Sequence, residues 1–329
     1  MTRCLVTGAT GAVGPRLVEA LRHGGWAVRV LRQPGSGPVS AGLDVVEGDV
    51  TDADAVQRAV AGVDTVFHLA ALLHVLDPAP ALAAEYRRVN VEGTRSVVGA
   101  ARACGARRVV FFSTITVYGY ARREAFTESH PCEPDTFYGR TKLDAEQVVL
   151  AARRDDGQPL GTVLRLAAVY GPGIKGNYAR LARAVARGRF VGVGPGENRR
   201  ALVHDRDVVT AALLAAEHPV APGHVYNVSD GEPHRLRDII DAVAAAAGRR
   251  APRVHVPVPV ALGLAAVAER AARLVGMTPP VTRATIAKYV EDVVVDASRI
   301  RRELGFEPRV GLAEGWRDTL DGLRARHVL

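Results

Sequence analysis

The chain has 329 residues, 48% of them apolar and 24% charged, with 43 Lys+Arg against 35 Asp+Glu and a formal net charge of +8. Such a chain can bury a large core, as one big domain or a domain with a subdomain, and its spread-out arginines and 5% aromatic content, without helix-turn-helix, zinc-finger or aromatic–basic patterns, set nucleic acid aside in favour of anionic small molecules. Met1-Thr2-Arg3 runs into an apolar segment without signal-peptide architecture, Val256 to Ala268 is too short to span a bilayer (~20 residues), and Cys4, Cys104 and Cys132 are odd in number and scattered, so a cytoplasmic protein with no membrane span and no metal site is expected.

The first half alternates short apolar runs with helical stretches, the pattern of a parallel sheet covered on both faces. Strands are predicted at Arg3–Thr7, Ala27–Leu31, Asp44–Glu47, Thr65–Leu69, Arg107–Ser113 and Gly161–Leu166, with His224–Val228 extending the sheet. Helices are predicted at Ala12–His23, Asp52–Ala61, Tyr86–Cys104 and Tyr138–Arg154. From about Asn177 the pattern turns irregular, with helices at Tyr178–Arg187, Leu236–Gly248 and Val258–Leu274 around a Gly-rich segment. The fold class is therefore α/β, a doubly wound parallel sheet (Rossmann fold) with a smaller, mostly helical cap. The division expected is 1–176, with about 201–232 returning to the sheet, against cap segments 177–200 and 233–329.

The first strand ends in Thr7-Gly8-Ala9-Thr10-Gly11-Ala12-Val13-Gly14, and Pro15 stands in the first turn of the next helix, where its missing N–H has no partner anyway. Glycines at 8, 11 and 14 permit a tight turn and close backbone approach, so amides from Gly8, Thr10, Gly11, Ala12, Val13 and Gly14 can hold a pyrophosphate at the helix N-terminus. At the end of the second strand an acid would bind a ribose 2′-OH; here the run is Val28-Arg29-Val30-Leu31-Arg32-Gln33. Arg32 argues for NADP(H), with NAD(H) as the other candidate, although arginine is common everywhere in this chain. After the third strand, Asp49 beside Val50 is offered to an adenine amino group and Asp52 to a helix N-cap.

Tyr138-Gly-Arg-Thr-Lys142 places a phenol and an ammonium four residues apart on one helical face. Lysine is scarce here (Lys142, Lys175 and Lys288 only), so its use at 142 points to a specific need for an ammonium. An ammonium close to a phenol lowers the phenol's pKa from ~10 and makes it an acid/base near neutral pH. His68 and His204 lack a second histidine at ligand spacing, and no Ser-His-Asp order or Gly-x-Ser-x-Gly elbow occurs.

Taken in order, Thr7 to Gly14, Gly48 to Asp52, His68 to Ala71, Asn90 to Thr94, Ser113 to Gly119, Tyr138 to Lys142, Arg165 to Pro172, Val203 to Val208, Tyr226 to Val228 and Leu304 to Pro308 resemble the extended short-chain dehydrogenase/reductase family, including its nucleotide-sugar epimerase/dehydratase and 3β-hydroxysteroid dehydrogenase-like branches. The resemblance covers nearly the whole chain. It implies that Thr114 hydrogen-bonds the reacting oxygen of the substrate, Tyr138 exchanges its proton, and Lys142 holds the nicotinamide ribose. It further implies that Leu69, Ala70 and Ala71 border the cofactor ribose, that Ala168 and Val169 border the carboxamide, and that Asn90 fixes the helix or a relay water. Arg200 stands where relatives grip a substrate diphosphate, Asn177 lies near a position where the family often has Asn and is a second substrate-binding candidate, and a homodimer through a helix pair that includes the Tyr–Lys helix is expected. Ile115 and Thr116 replace the carboxylates of 4,6-dehydratases, which argues against water elimination, and Ala168 replaces the Asn frequent in sugar-nucleotide epimerases.

The reading is an NAD(P)-dependent oxidoreductase interconverting a secondary alcohol and a ketone on a bulky small-molecule substrate. A nucleotide-sugar 4-epimerase with tightly bound NAD and a non-catalytic NAD(P)-binding protein are the alternatives. Val256 to Leu274 is read as a cap helix packed on the sheet, or as an apolar wall over the substrate; its own polar face is too thin to argue membrane binding.

Overall fold

A computed structural model describes residues 2–72, 80–119, 124–274 and 282–328. Its first half runs β1 (Arg3–Thr7), α1 (Gly14–His23), β2 (Ala27–Arg32), β3 (Asp44–Glu47), α2 (Ala53–Val60), β4 (Thr65–His68), α3 (Pro80–Arg87), α4 (Gly93–Ala103), β5 (Arg108–Thr114), α5 (Phe137–Ala151) and β6 (Gly161–Leu166). The second half runs β7 (Ala168–Tyr170), α6 (Gly176–Ala186), β8 (Gly192–Val193), β9 (Arg199–Arg200), β10 (Leu202–His204), α7 (Asp205–Glu217), β11 (Val225–Val228), β12 (His234–Arg235), α8 (Leu236–Ala246), β13 (His255–Val256), α9 (Val258–Leu274), α10 (Arg283–Val290), α11 (Ser298–Leu304) and α12 (Leu312–Ala325).

Seven strands pair in the order β11-β6-β5-β4-β1-β2-β3, all parallel. Parallel strands of this kind are buried on both faces, and β1 shows why alternation fails as a guide here. Cys4 and Val6 join Leu17, Leu21, Val208 and Ile300 on one side, while Leu5 joins Val56, Val97, Ala145 and Val149 on the other. The strand order reverses between β1 and β4, so the loops after these two strands diverge and open a crevice at the carboxyl edge of the sheet.

Most expected elements stand within two or three residues of their predicted ends, and Asp52 caps α2 by accepting from the amides of Asp54 and Ala55. The single helix expected over Tyr86–Cys104 is instead α3, one π turn over Arg88–Glu92, and α4. The wider turn carries Asn90 inward; π insertions of this kind interrupt a helix to re-aim a side chain. Ala168 and Val169 leave the central sheet: β7 pairs with β10 in a separate parallel two-stranded ribbon. Helices α7, α10, α11 and α12 were not among the expected elements. Val295, Ala297, Ile300, Leu304 and Phe306, grouped with the cap by sequence, pack in the core with the sheet and α7. Helix α9 packs against α10 through Ala261, Ala265 and Ile286, with Val193 and Val256 alongside, and among the described residues this cluster holds none from the central sheet.

One buried polar chain crosses these layers. The Glu146 carboxylate, 1% exposed on α5, is met by Arg165 of β6 at 2.6 Å. Arg165 also donates to the Tyr118 hydroxyl at 3.0 Å, and Tyr118 donates to Asn227 Oδ1 on β11 at 2.7 Å. The Asn227 amide nitrogen then donates to the carbonyls of Phe126 and Asp296. Every member has its partners, which is the condition under which a buried charge is tolerable.

A second strut fixes the crevice edge. His68 is fully buried and bridges the Thr7 hydroxyl (2.7 Å) and the Thr94 hydroxyl (2.9 Å), joining β1, β4 and α4. Burial, with Lys142 nearby, pulls its imidazole down to about 3.

Arg165→Met should lower stability by about 3–5 kcal/mol, because Glu146 is left buried and unpaired, and the double change with Glu146→Met should recover most of the loss in urea unfolding. For His68 the folded pKa lies below the ordinary 6.5, so its contribution is complete above pH 6.5 and is lost as pH falls toward 3. Unfolding free energies measured against pH in that window should fall less steeply in His68→Gln, by up to about 1.4 kcal/mol per pH unit.

Candidate active site

The glycine turn lies where the crevice opens. Gly8 has φ +74°, a left-handed conformation that costs glycine little, and a Cβ there would stand 2.7 Å from the Ala70 amide nitrogen. A Cβ at Gly14 would collide with the Gly8 and Ala9 carbonyl oxygens. The Gly11 amide closes the turn onto Gly8 at 2.9 Å. Helix α1 begins with Pro15 near its start and no side chain caps its N-terminus, leaving that positive end to the crevice. This cradle fits the diphosphate of a dinucleotide.

The adjoining loops are held close. Ala70 donates to the Thr7 hydroxyl at 3.2 Å and Leu69 to the Thr7 carbonyl at 3.2 Å, which sets Leu69, Ala70 and Ala71 alongside the turn. A Cβ at Gly173 would strike the Ala12 carbonyl, so the chain leaving β7 with Ala168 and Val169 also passes over the turn. Asp49 follows β3 and accepts from the amide (2.9 Å) and hydroxyl (2.7 Å) of Thr51, with Val50 buried behind Gly93. At the end of β2, Arg32 is paired with Glu47 of β3, its Nε donating at 2.8 Å; the two are register partners. An acid does stand beside the strand end, contributed by the neighbouring strand.

On the other side of the crevice, helix α5 is positioned on β5. Thr136 caps it by accepting from the Gly139 amide, and a Cβ at Gly139 would stand 2.9 Å from the Thr116 carbonyl oxygen. That contact brings the Tyr138 turn against the segment of Thr114, whose hydroxyl accepts from the Thr116 amide and hydroxyl at 3.2 Å each. Tyr138 is half-buried with its ring edge-on to Tyr86 at 6.4 Å. Lys142 is 1% exposed, with Nζ 4.0 Å from the centre of the Phe111 ring.

Both ionisable groups are driven toward neutrality. Burial, reinforced by Tyr86, pushes the Tyr138 phenol up to about 12, and burial pulls the Lys142 ammonium down to about 7, opposed by the Glu146 carboxylate. The lowered phenol pKa expected from helical spacing is thus corrected. Four-residue spacing puts two groups on one face, but here the amine lies over the Phe111 ring and desolvation governs the phenol.

Asn90, 1% exposed, uses both ends of its amide. Oδ1 accepts from the Leu72 amide at 2.7 Å, and Nδ2 donates to the Leu72 carbonyl at 3.3 Å and to the Thr141 hydroxyl at 3.1 Å. It thereby locks the loop after β4 to the Tyr–Lys helix. Asn177 is exposed in the first turn of α6. Arg200 donates through Nη2 to the carbonyls of Lys288 (2.5 Å) and Tyr289 (2.8 Å), tying β9 to the end of α10.

Three partners escaped the sequence reading: Glu47 for Arg32, Thr141 for Asn90, and Glu146 for Arg165. Only Glu146 carried a local signal, standing one helical turn beyond Lys142 on the same face. His204, Asp205 and Asp318 gather closely enough to suit a metal ion, but Arg16 already stands 3.0 Å from Asp205 and 3.2 Å from Asp318 and supplies the positive charge. Burial holds Asp205 up at about 6 and His204 down at about 4 in that cluster.

Comparison with known proteins agrees with this geometry. Residues 4–229 match the family model described as NAD dependent epimerase/dehydratase family. The chain is 31% identical to the 3 beta-hydroxysteroid dehydrogenase/Delta 5-->4-isomerase of Mycobacterium tuberculosis, over 93% of this chain and 86% of that protein. It is 32% identical to the 2-alkyl-3-oxoalkanoate reductase of Stenotrophomonas maltophilia, over 96% and 97%. Among solved structures, MoeE5 in complex with UDP-glucose and NAD superimposes with a TM-score of 0.77 at 29% identity, covering 99% of both chains. With its glycine turn, parallel seven-stranded sheet and Tyr–Lys helix, the chain belongs to the NAD-dependent epimerase/dehydratase family of extended short-chain dehydrogenases/reductases.

Proposed function

We propose that this protein is an NAD(P)-dependent oxidoreductase interconverting a secondary alcohol and a ketone on a bulky substrate. The reading rests above all on one placement: buried Lys142 and half-buried Tyr138 share a face of α5, whose first turn is packed at Gly139 against the segment that carries Thr114. A nicotinamide dinucleotide held with its diphosphate at the glycine turn would supply or accept the hydride. In reduction Tyr138 gives its hydroxyl proton to the carbonyl oxygen as the carbonyl carbon gains the hydride; in oxidation the phenolate takes that proton back. A phenol held near 12 keeps its proton at neutral pH. Thr114 would hold the same oxygen by a hydrogen bond. Lys142, when charged, holds the ribose and favours the phenolate, and Asn90 keeps the helix and the Leu72 loop in register. The nucleotide-binding part, the cap, and the roles of Asp49, Leu69 to Ala71, Ala168 and Val169 in lining the cofactor belong to the same proposal.

Arg32 is the group proposed to receive a 2′-phosphate, and Glu47 restrains it. NADP(H) is accepted in this reading only by drawing Arg32 from its partner, while NAD(H) needs no such exchange. Glu47→Gln should therefore improve the NADPH to NADH preference by about 3- to 5-fold, the worth of one exposed pair, as read from nucleotide dissociation constants. An unchanged ratio would remove Arg32 from the cofactor site.

A second reading, a nucleotide-sugar 4-epimerase, is favoured by the likeness to the UDP-glucose complex of MoeE5, with Asn177 and Arg200 as its substrate grips. Protein that retains NAD through gel filtration and turns over UDP-glucose without net NADH change would establish it.

The oxidoreductase reading is tested with a 2-alkyl-3-oxoalkanoate and a 3β-hydroxysteroid as substrates. Tyr138→Phe should reduce kcat by about 10²–10⁴ while nicotinamide nucleotide binding stays within a few-fold, followed by fluorescence. Full activity in Tyr138→Phe would show that the proton transfer belongs elsewhere.

A further inference from the structure

Helix α9 carries two apolar faces. Ala261 and Ala265 are buried against Ile286 of α10, with Val193 and Val256 alongside. Val260, Leu264 and Val267, spaced by four and three residues on another face, are 52%, 63% and 68% exposed. Scattered exposed aliphatics are ordinary, but three stand here at helical spacing on one helix, and Val254 and Val191 are exposed next to the paired strands β13 and β8 that precede α9.

The segment that carries the stripe is basic. From residue 249 to residue 290 the chain holds Arg249, Arg250, Arg253, Arg270, Arg273, Arg283 and Lys288 against one acid, Glu269. Glu269 is turned to α10, where it accepts from the Arg283 amide and guanidinium. Folding brings a second set close to Arg249: Arg180, Arg183, Arg187 and Arg189 cluster on and just after α6, and the Arg249 guanidinium lies beside Gly188. Among the described residues, none of Arg180, Arg187, Arg189, Arg249, Arg250, Arg253 and Arg270 pairs with a carboxylate. A hydrophobic stripe bordered by unpaired guanidiniums is complementary to an anionic lipid surface, where acyl chains take the aliphatics and headgroup phosphates take the arginines. At 17 residues α9 is too short to span, and no described helix is long and apolar enough to do so.

We propose that the α9 face is a peripheral docking surface for an anionic bilayer, with α9 lying in the plane of the interface and the arginines of α6 and the α8–β13 connection on the headgroups. Because α10 is joined through Lys288 to Asp135 (2.8 Å), three residues before Tyr138, the docked surface would adjoin the segment that leads into the Tyr–Lys helix. The proposal goes beyond the catalytic reading and does not depend on it, since binding is read without turnover.

The test is flotation of the full chain with vesicles of equimolar phosphatidylglycerol and phosphatidylcholine, and with phosphatidylcholine vesicles. The expected result is binding to the anionic vesicles alone, weakened tenfold or more by Leu264→Ser with Val267→Ser, and by Arg249→Ser with Arg253→Ser at roughly fivefold per arginine. All four residues are exposed, so unfolding midpoints and nucleotide binding should be unchanged in both variants. Absence from anionic vesicles, equal binding to neutral ones, or binding untouched by the serine variants would overturn the proposal. So would sedimentation showing a dimer that the Leu264→Ser, Val267→Ser variant dissociates, since a second copy would then cover the face.

Discussion

The Glu146–Arg165 pair is the constraint on which the site depends. Helix α5 carries the two groups proposed for the chemistry, yet a helix on a sheet face is free to slide and roll unless something directional holds it. Apolar packing of Ala145 and Val149 supplies adhesion without direction. The guanidinium–carboxylate contact supplies direction, because a fork geometry is satisfied in one register. Through Tyr118 and Asn227 that register is passed to β11 and to the backbone at Phe126 and Asp296, so sheet edge, Tyr–Lys helix and late chain share one buried network. Asn90 does the same from the opposite side, through Thr141 and the Leu72 loop.

Desolvation is the second theme. Lys142 is buried against Phe111 within a helical turn of Glu146, and Tyr138 packs on Tyr86. In a low-dielectric crevice, each group's ionisation responds strongly to whatever charge is brought near it. Such a pair is poised to respond to a charged ligand, and its acid/base behaviour cannot be read from spacing along the helix.

Much of the fold was legible because parallel sheets leave a strong signature: short, continuously apolar runs separated by helices of the right length. The glycine turn was legible because its three glycines stand close together after the first strand; at Gly14 a Cβ would collide with the turn's own backbone, and at Gly8 with that of Leu69 and Ala70. What escaped was set by distant partners. The π turn at Asn90 follows from contacts with Leu72 and Thr141, and the departure of β7 from the sheet follows from its pairing with Leu202–His204. The Arg32–Glu47 pair is a register effect between β2 and β3, 15 residues apart in sequence.

By itself, then, the sequence determined the α/β class, the glycine turn, the order of family segments and the Tyr–Lys spacing on one helix, because each is written in residues close together along the chain. Tertiary structure alone decided the ionisation of Tyr138 and Lys142, the partner of Arg32 and the character of the α9 face. The polar side of α9 is thin as a helix; beyond its own Arg270 and Arg273, the arginines proposed to act with it belong to α6 and the α8–β13 connection. Burial and electrostatic fields are sums over neighbours in space, and a linear reading supplies only the neighbours in sequence.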